Sequence, residues 1–323
     1  MKLVGVICGG FSSEFEISLK SGETIVRNFP LNYKTVKIVL SKEECKVEWE
    51  NGWLPIDLNH LTFDTVEGLK KIDFAIIYTH GNPGENGKLQ ALFDMTGVNY
   101  INSGALASEL SFDKWYCNQF LKNFGVPIAD SVLLLKGQFF NENEIIQQLG
   151  LPVFVKPCDS GSSYGISRVN KLEELNVAIE TAFKEGNSIV IESFLNGTEV
   201  TCGVYQSVDG IKALPLAEIV SENEFFDYEA KYLGKSQEIV PARISEEATL
   251  KIQEMTKKIY AILRLRSIAR IDYMLVGDVP HLIEVNTTPG FTEESIVPRM
   301  LKVEGKSITE FWTEIMAFET LGH

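Results

Sequence analysis

The alternation of apolar and polar positions divides the chain into short strands and amphipathic helices. Residues 3–8 form an apolar run that stops at Gly9-Gly10, and a helical pattern follows from Ser12-Ser13-Glu14 to about Phe29. Ser13 and Glu16 have the spacing of a capping box at the start of that helix. A second apolar run, 74–78, ends at Thr79-His80-Gly81 and a loop rich in Gly, Pro and Asn, after which 88–96 reads as a helix. Strands alternating with helices imply a parallel sheet with ligands near the strand ends. This first unit is expected to span residues 1–112.

The pattern then changes. Residues 113–125 predict a helix stopped by Gly125 and Pro127. Two strands, 153–156 and 166–169, flank a Gly/Ser loop, and a helix over 172–185 and a strand over 189–192 follow, making a small α+β unit over 113–194. From 195 to 323 strands and helices alternate again, with a polar, tyrosine-containing stretch over 221–237. Two or three domains suit a chain of 323 residues.

Composition narrows the function. Hydrophobic residues at 45% and charged residues at 23% are those of an ordinary globular protein. The net charge of −14 argues against nucleic acid or a membrane surface as partner, although a few placed lysines can still hold a phosphate. The cysteines (Cys8, Cys45, Cys117, Cys158, Cys202) form no CxxC pair, which points away from a zinc site or a disulfide framework. The N-terminus shows no apolar signal-like run, and no stretch reaches the roughly 20 apolar residues that span a bilayer. A cytoplasmic location is expected.

Two segments carry candidate chemistry. Lys156-Pro157-Cys158-Asp159-Ser160-Gly161-Ser162-Ser163-Tyr164-Gly165 is rich in small residues that let backbone N–H groups approach an anion. It is not a Walker A loop, because no Lys follows the glycines and a strand follows instead of a helix. It reads as a flap over phosphates or as a plain Ser/Gly hairpin. The second segment pairs 270–275 with 281–286 across a turn near Gly277-Asp278. Folding about 278–279 sets Asp272 opposite the Glu284/Asn286 region, with Arg270 beside it. Two carboxylates, an amide oxygen and a cation suit Mg²⁺ on nucleotide phosphates; a solvated polar face of a hairpin is the alternative. The adjoining Pro289-Gly290 turn brings backbone N–H groups to the same place.

Residues 4–18 (VGVICGGFSSEFEIS), His80-Gly81 through Gly87, Ser103-Gly104 with Asp113-Lys114, the 156–165 loop, residues 228–232 (YEAKY), Arg270-Ile271-Asp272 and 284–290 (EVNTTPG) occur in this order along nearly the whole chain. The set resembles the D-alanine–D-alanine ligases of the ATP-grasp superfamily. The resemblance implies an α/β, three-domain ATP-grasp architecture with an N-terminal Rossmann-like parallel-sheet domain (1–112), a central subdomain with the Gly/Ser flap (113–194), and a C-terminal subdomain with the Mg²⁺ site and a mobile loop (195–323). It implies ATP and Mg²⁺, with Mn²⁺ as an alternative ion, D-alanine as substrate, and a homodimer. The activity implied is joining of two D-alanines through an acyl phosphate for peptidoglycan synthesis.

The resemblance also assigns roles. Lys114, Lys156 and the Ser160, Gly161, Ser162, Ser163 backbone would contact phosphates; Glu192, Phe194, Leu195 and Glu199 would hold adenosine. Asp272, Glu284 and Asn286 match the metal ligands, and Arg270 with the Gly290 N–H matches the oxyanion donors. Glu14 would pair with the ammonium of the first D-alanine, near His80. Ser162 and Tyr232 would link Glu14 to the closing loops. Lys231 would face the transferred phosphate or the second carboxylate, which Ser295 would hold, with Ile296 in the pocket. Read alone, Lys114 is a solvated helix lysine, Glu14 a first-turn acid favoured by the helix dipole, His80 a loop histidine, and Phe194 and Leu195 core residues. Two departures stand out: Ser193 where many relatives have a long polar side chain, and Ile296 where leucine is common. The rivals are a D-alanine–D-lactate ligase, opposed by the Lys231-Tyr232 pair, a silent nucleotide-binding regulator, opposed by the intact Arg270–Asn286 set, and a dinucleotide oxidoreductase, opposed by the missing GxGxxG.

Overall fold

The computed structural model describes residues 1–159, 164–221 and 236–321. Its strands form three main sheets. The first has the order β4-β3-β2-β1-β7-β8, with β1 Leu3–Gly9, β2 Lys34–Leu40, β3 Cys45–Trp49, β4 Gly52–Pro55, β7 Phe74–Ile77 and β8 Tyr100–Ile101. β1, β2, β7 and β8 run parallel, as the sequence implies, while β3 and β4 add an antiparallel edge. A small hairpin, β5 Thr62–Thr65 and β6 Gly68–Lys71, stands apart. β1 is buried at every position, which fits its unbroken apolar run between two parallel neighbours.

The turn after β1 needs its glycines. Gly9 and Gly10 have φ of +92° and +105°, and a Cβ on Gly9 would lie 2.5 Å from the Leu40 carbonyl. Helix α1, Phe15–Asn28, follows, but the expected capping box is absent. Glu14 occupies the cap position without a side-chain cap bond. Ser12 is the residue engaged: its hydroxyl donates to the His80 carbonyl at 2.8 Å and accepts from the Glu14 N–H at 3.3 Å. The serine therefore ties this turn to the loop after β7.

Helices α2 Lys88–Thr96, α3 Ala105–Phe112 and α4 Lys114–Lys122 lead to the second sheet, β11-β10-β12-β9. Its strands, β9 Ser131–Leu135, β10 Val153–Pro157, β11 Ser167–Val169 and β12 Ser188–Ser193, pair antiparallel. Helices α5 Glu142–Leu149 and α6 Leu175–Ala182 cover it with Ile145, Leu175 and Ile179. The helix expected over 172–185 is shorter, opening as a 3₁₀ turn, Leu172–Glu174.

The third sheet runs β16-β15-β13-β17-β18, with β14 on β13. Its strands are β13 Thr198–Ser207, β14 Gly210–Ala213, β15 Ala217–Ser221, β16 Ser236–Ile239, β17 Ile268–Val276 and β18 Val279–Asn286. Helices α7 Glu246–Ile262, α8 Ile296–Val303 and α9 Ile308–Glu319 complete the chain. One core spans the ends of the chain: Val4, Ile25, Phe29 and Tyr78 pack with Phe291, Met300, Phe311 and Trp312. Its aromatic rings meet mostly edge to face, as Tyr78 does with Phe291 at 5.8 Å. This shared core holds the segment after β18 against the end of β7. No helix among the described residues is long and apolar enough to cross a membrane.

Candidate active site

A register shift assembles the centre of the site. Gly277-Asp278 turns the β17–β18 hairpin, as the sequence suggests, but the strands fold about 277–278 and not 278–279, so that Val276 faces Val279 and Tyr273 faces Leu282. Continued without interruption, this register would set Ile283 opposite Asp272 and send Glu284 and Asn286 to the other face. A β-bulge between Asp272 and Tyr273 adds one residue, and beyond it Asp272 faces Glu284 and Arg270 faces Asn286. Asn118 on α4 donates to the Ile283 carbonyl at 3.3 Å, supporting the bulged strand.

The four side chains form a tight charge array. Arg270 grips Asp272 through two parallel bonds, Nε to Oδ1 at 2.8 Å and Nη2 to Oδ2 at 2.7 Å. Thr201 on β13 donates to Asp272 Oδ1. Asn286 Nδ2 lies 3.2 Å from Asp272 Oδ2 and 3.5 Å from Glu284 Oε1. Lys114, at the start of α4, reaches Glu284 Oε2 at 3.3 Å. Burial works against the charges on Lys114 and Arg270, but Glu284 beside the first and Asp272 with Glu284 beside the second hold both above their ordinary range. Lys114 is therefore a largely covered, paired cation and not a solvated helix lysine.

These donors fit a hard divalent cation. Both carboxylates are oxygen donors, and the Asn286 amide nitrogen points at both, putting positive polarity where they converge. Turned over, the same amide offers its oxygen.

The N-terminal loops reach the same place. His80 is buried at the end of β7, its Nε2 3.4 Å from Ser21 Oγ. Burial lowers its pKa against the pull of Glu14, so the ring is neutral. Glu85, in the same loop, accepts from the Gly81 N–H at 2.6 Å. Its pKa is pushed up to about 8, first by burial and then by the charge of Glu14, with Glu284 adding and Arg270 opposing. Glu14 at the head of α1 and the β17–β18 hairpin thus act on one buried carboxyl. Sequence reasoning did not single out Glu85; its position inside the 80–87 motif was the only signal.

On the second sheet, Lys156 and Glu192 project from adjacent strands and pair at 2.7 Å. Lys156 also lies 5.6 Å from the Phe154 ring, and Arg168 stacks 4.9 Å over Phe194. Phe194 and Leu195 are half-buried, unlike core residues, and Glu199 sits on β13 between Ile219 and Met274. Past β18, Ser295 Oγ accepts from the Thr292 N–H at 3.0 Å instead of capping α8. A Cβ on Gly290 would lie 3.3 Å from that oxygen. Ile296 packs on the shared core. Ser160, Gly161, Ser162, Ser163, Lys231 and Tyr232 lie outside the described residues.

Comparison with known proteins points one way. Residues 3–103 match the family profile described as D-ala D-ala ligase N-terminus, and residues 120–317 that described as D-ala D-ala ligase C-terminus. The chain is 43% identical to a D-alanine--D-alanine ligase of Parabacteroides distasonis over 98% of this chain and 97% of that one. It is 44% identical to one of Flavobacterium johnsoniae, covering 97% and 98%. Among solved structures, the VanG D-Ala:D-Ser ligase of Enterococcus faecalis superposes with a TM-score of 0.87 at 30% identity, covering 98% of this chain and 99% of that one. A D-alanine--D-alanine ligase of Bacillus anthracis complexed with ATP gives 0.80 at 27%, covering 99% and 98%.

Proposed function

The chain belongs to the D-alanine–D-alanine ligase family, and on that premise we propose that it joins two D-alanines to D-alanyl-D-alanine at the expense of ATP. The observation that carries the reading is the bulged hairpin. It lines up Asp272, Glu284, Asn286 and Arg270 beside Lys114 and the Gly290 turn.

Each residue then has a task. Glu14 pairs with the ammonium of the first D-alanine, near the neutral His80. Asp272, Glu284 and Asn286 would hold Mg²⁺, which when bound offsets the charge of the nucleotide phosphates. Lys114 and Lys156 are already in place, paired with Glu284 and Glu192. On nucleotide binding each exchanges its carboxylate for a phosphate oxygen, which frees Glu192 to accept from the adenine amine, with Phe194, Leu195 and Glu199 about the adenosine. The first carboxylate attacks the γ-phosphorus and ADP departs. The amine of the second D-alanine, whose carboxylate Ser295 holds beside Ile296, attacks the acyl carbon. Arg270 and the Gly290 N–H stabilise the tetrahedral oxyanion, and phosphate leaves. Losing one such donor typically costs about 100- to 1,000-fold in rate. By family resemblance, Ser160, Gly161, Ser162 and Ser163 contact phosphates, Lys231 faces the phosphate or the second carboxylate, and Tyr232 with Ser162 links to Glu14.

The acyl phosphate leaves an isotopic mark. D-alanine labelled with oxygen-18 in its carboxylate should pass label to inorganic phosphate as dipeptide forms; unlabelled phosphate would rule the intermediate out. The same resemblance supports the division into 1–112, 113–194 and 195–323, a cytoplasmic homodimer, and a dipeptide used in peptidoglycan synthesis. A sedimentation mass of one chain would remove the dimer.

A further inference from the structure

The Gly290 N–H can serve as an oxyanion donor only if its peptide plane is fixed, and three side chains from the N-terminal part of the chain surround that plane. The Tyr78 hydroxyl donates to the Pro289 carbonyl at 2.8 Å. Asn102 Nδ2 donates to Thr288 Oγ1 at 3.1 Å, one residue before. Ser21 Oγ accepts from the Phe291 N–H at 3.1 Å, one residue after. Pro289 C=O and Gly290 N–H belong to a single peptide unit that is not among the cis bonds of the chain. In a planar trans unit the carbonyl and the N–H point in opposite directions, so fixing one aims the other. A bond to the carbonyl also polarises the unit and strengthens its N–H as a donor.

Ser21 extends the arrangement. Its oxygen accepts from Phe291, so its own proton is free for His80 Nε2 at 3.4 Å. Ser21 thus links the Phe291 N–H to His80 in the loop after β7. Tyr78 and Ser21 are fully buried, and neither reaches the charge array itself.

We propose that Tyr78 and Ser21 are positioning residues that aim the Gly290 N–H at the reacting carbonyl from the N-terminal domain. The inference rests on the ligase reading, which dipeptide formation by the wild-type chain checks separately. Tyr78→Phe keeps the ring and removes only the hydroxyl. It should lower kcat about tenfold, the size of one buried hydrogen bond, and leave the KM for ATP unchanged. Affinity for a tetrahedral phosphinate analogue of the dipeptide should fall by the same factor, since that ligand uses the oxyanion donors. Amide exchange over 287–292 should quicken, a readout that needs no activity. Ser21→Ala acts on the neighbouring peptide and should give the same pattern. Unchanged kcat and unchanged exchange in both variants would overturn the proposal while the ligase reading stands. So would a loss of ATP affinity and melting temperature parallel to the loss of rate, because that is general unfolding and not aiming.

Discussion

Replacing Glu85 by Gln should make the protein's stability less dependent on pH. Glu85 is buried against Glu14, and its pKa lies near 8 instead of 4.5. The folded chain therefore keeps a proton that the unfolded chain releases above about pH 4.5. Stability from this group is complete below that pH and is lost as pH rises through 8. Each tenfold difference in proton affinity between the folded and unfolded chain is worth about 1.4 kcal/mol. The loss therefore amounts to roughly 5 kcal/mol across the window, with a slope near 1.4 kcal/mol for each step of one in pH. Gln fills the same volume, can still accept the Gly81 N–H, and does not titrate. Denaturant unfolding midpoints of wild type and Glu85→Gln, measured from pH 4 to 9, should diverge in favour of the variant between pH 5 and 8. Parallel curves would refute the account of a buried, protonated carboxyl. A bound D-alanine ammonium beside Glu14 should cancel part of that repulsion and flatten the wild-type curve.

Glu284→Ala should abolish ADP release while circular dichroism shows an intact fold; full activity would refute the metal assignment. Thr201→Val removes the hydroxyl that steadies Asp272, and the Mg²⁺ concentration giving half-maximal rate should rise several-fold, the size of one lost hydrogen bond to a charged group. Lys114→Ala removes the lysine paired with Glu284 at 3.3 Å and should raise the KM for ATP several-fold, with little change in melting temperature because Asn286 still faces the Glu284 carboxylate; an unchanged KM for ATP would remove Lys114 from the phosphate site.

The sequence was most legible where one physical rule acts alone. The unbroken apolar runs of β1 and β7 announced buried parallel strands, and the helix over 88–96 stands at those bounds. The convergence of Asp272, Glu284, Asn286 and Arg270 was also foreseen, but not its cause. A bulge is invisible to period-2 counting, because one extra residue reverses every face beyond it. The capping box at Ser13 and Glu16 failed because the helix begins one residue later than that spacing needs, with Glu14 at the cap position. The turn before it is tied down by Ser12, which donates to the His80 carbonyl, and local spacing cannot announce a partner 68 residues away. Glu85 escaped notice because its raised pKa comes from burial and from Glu14, both products of the folded chain. The ion pairs of Lys114 with Glu284 and Lys156 with Glu192 likewise join residues that only the fold brings together.

The central claim is that these residues, brought together by the bulged hairpin, use ATP to activate a D-amino acid. It is tested most directly by ADP release from the purified protein with Mg-ATP and single amino acids. D-alanine should stimulate release and yield D-alanyl-D-alanine by mass spectrometry, and L-alanine should not. Stimulation by neither, or ADP release without dipeptide, would contradict the account.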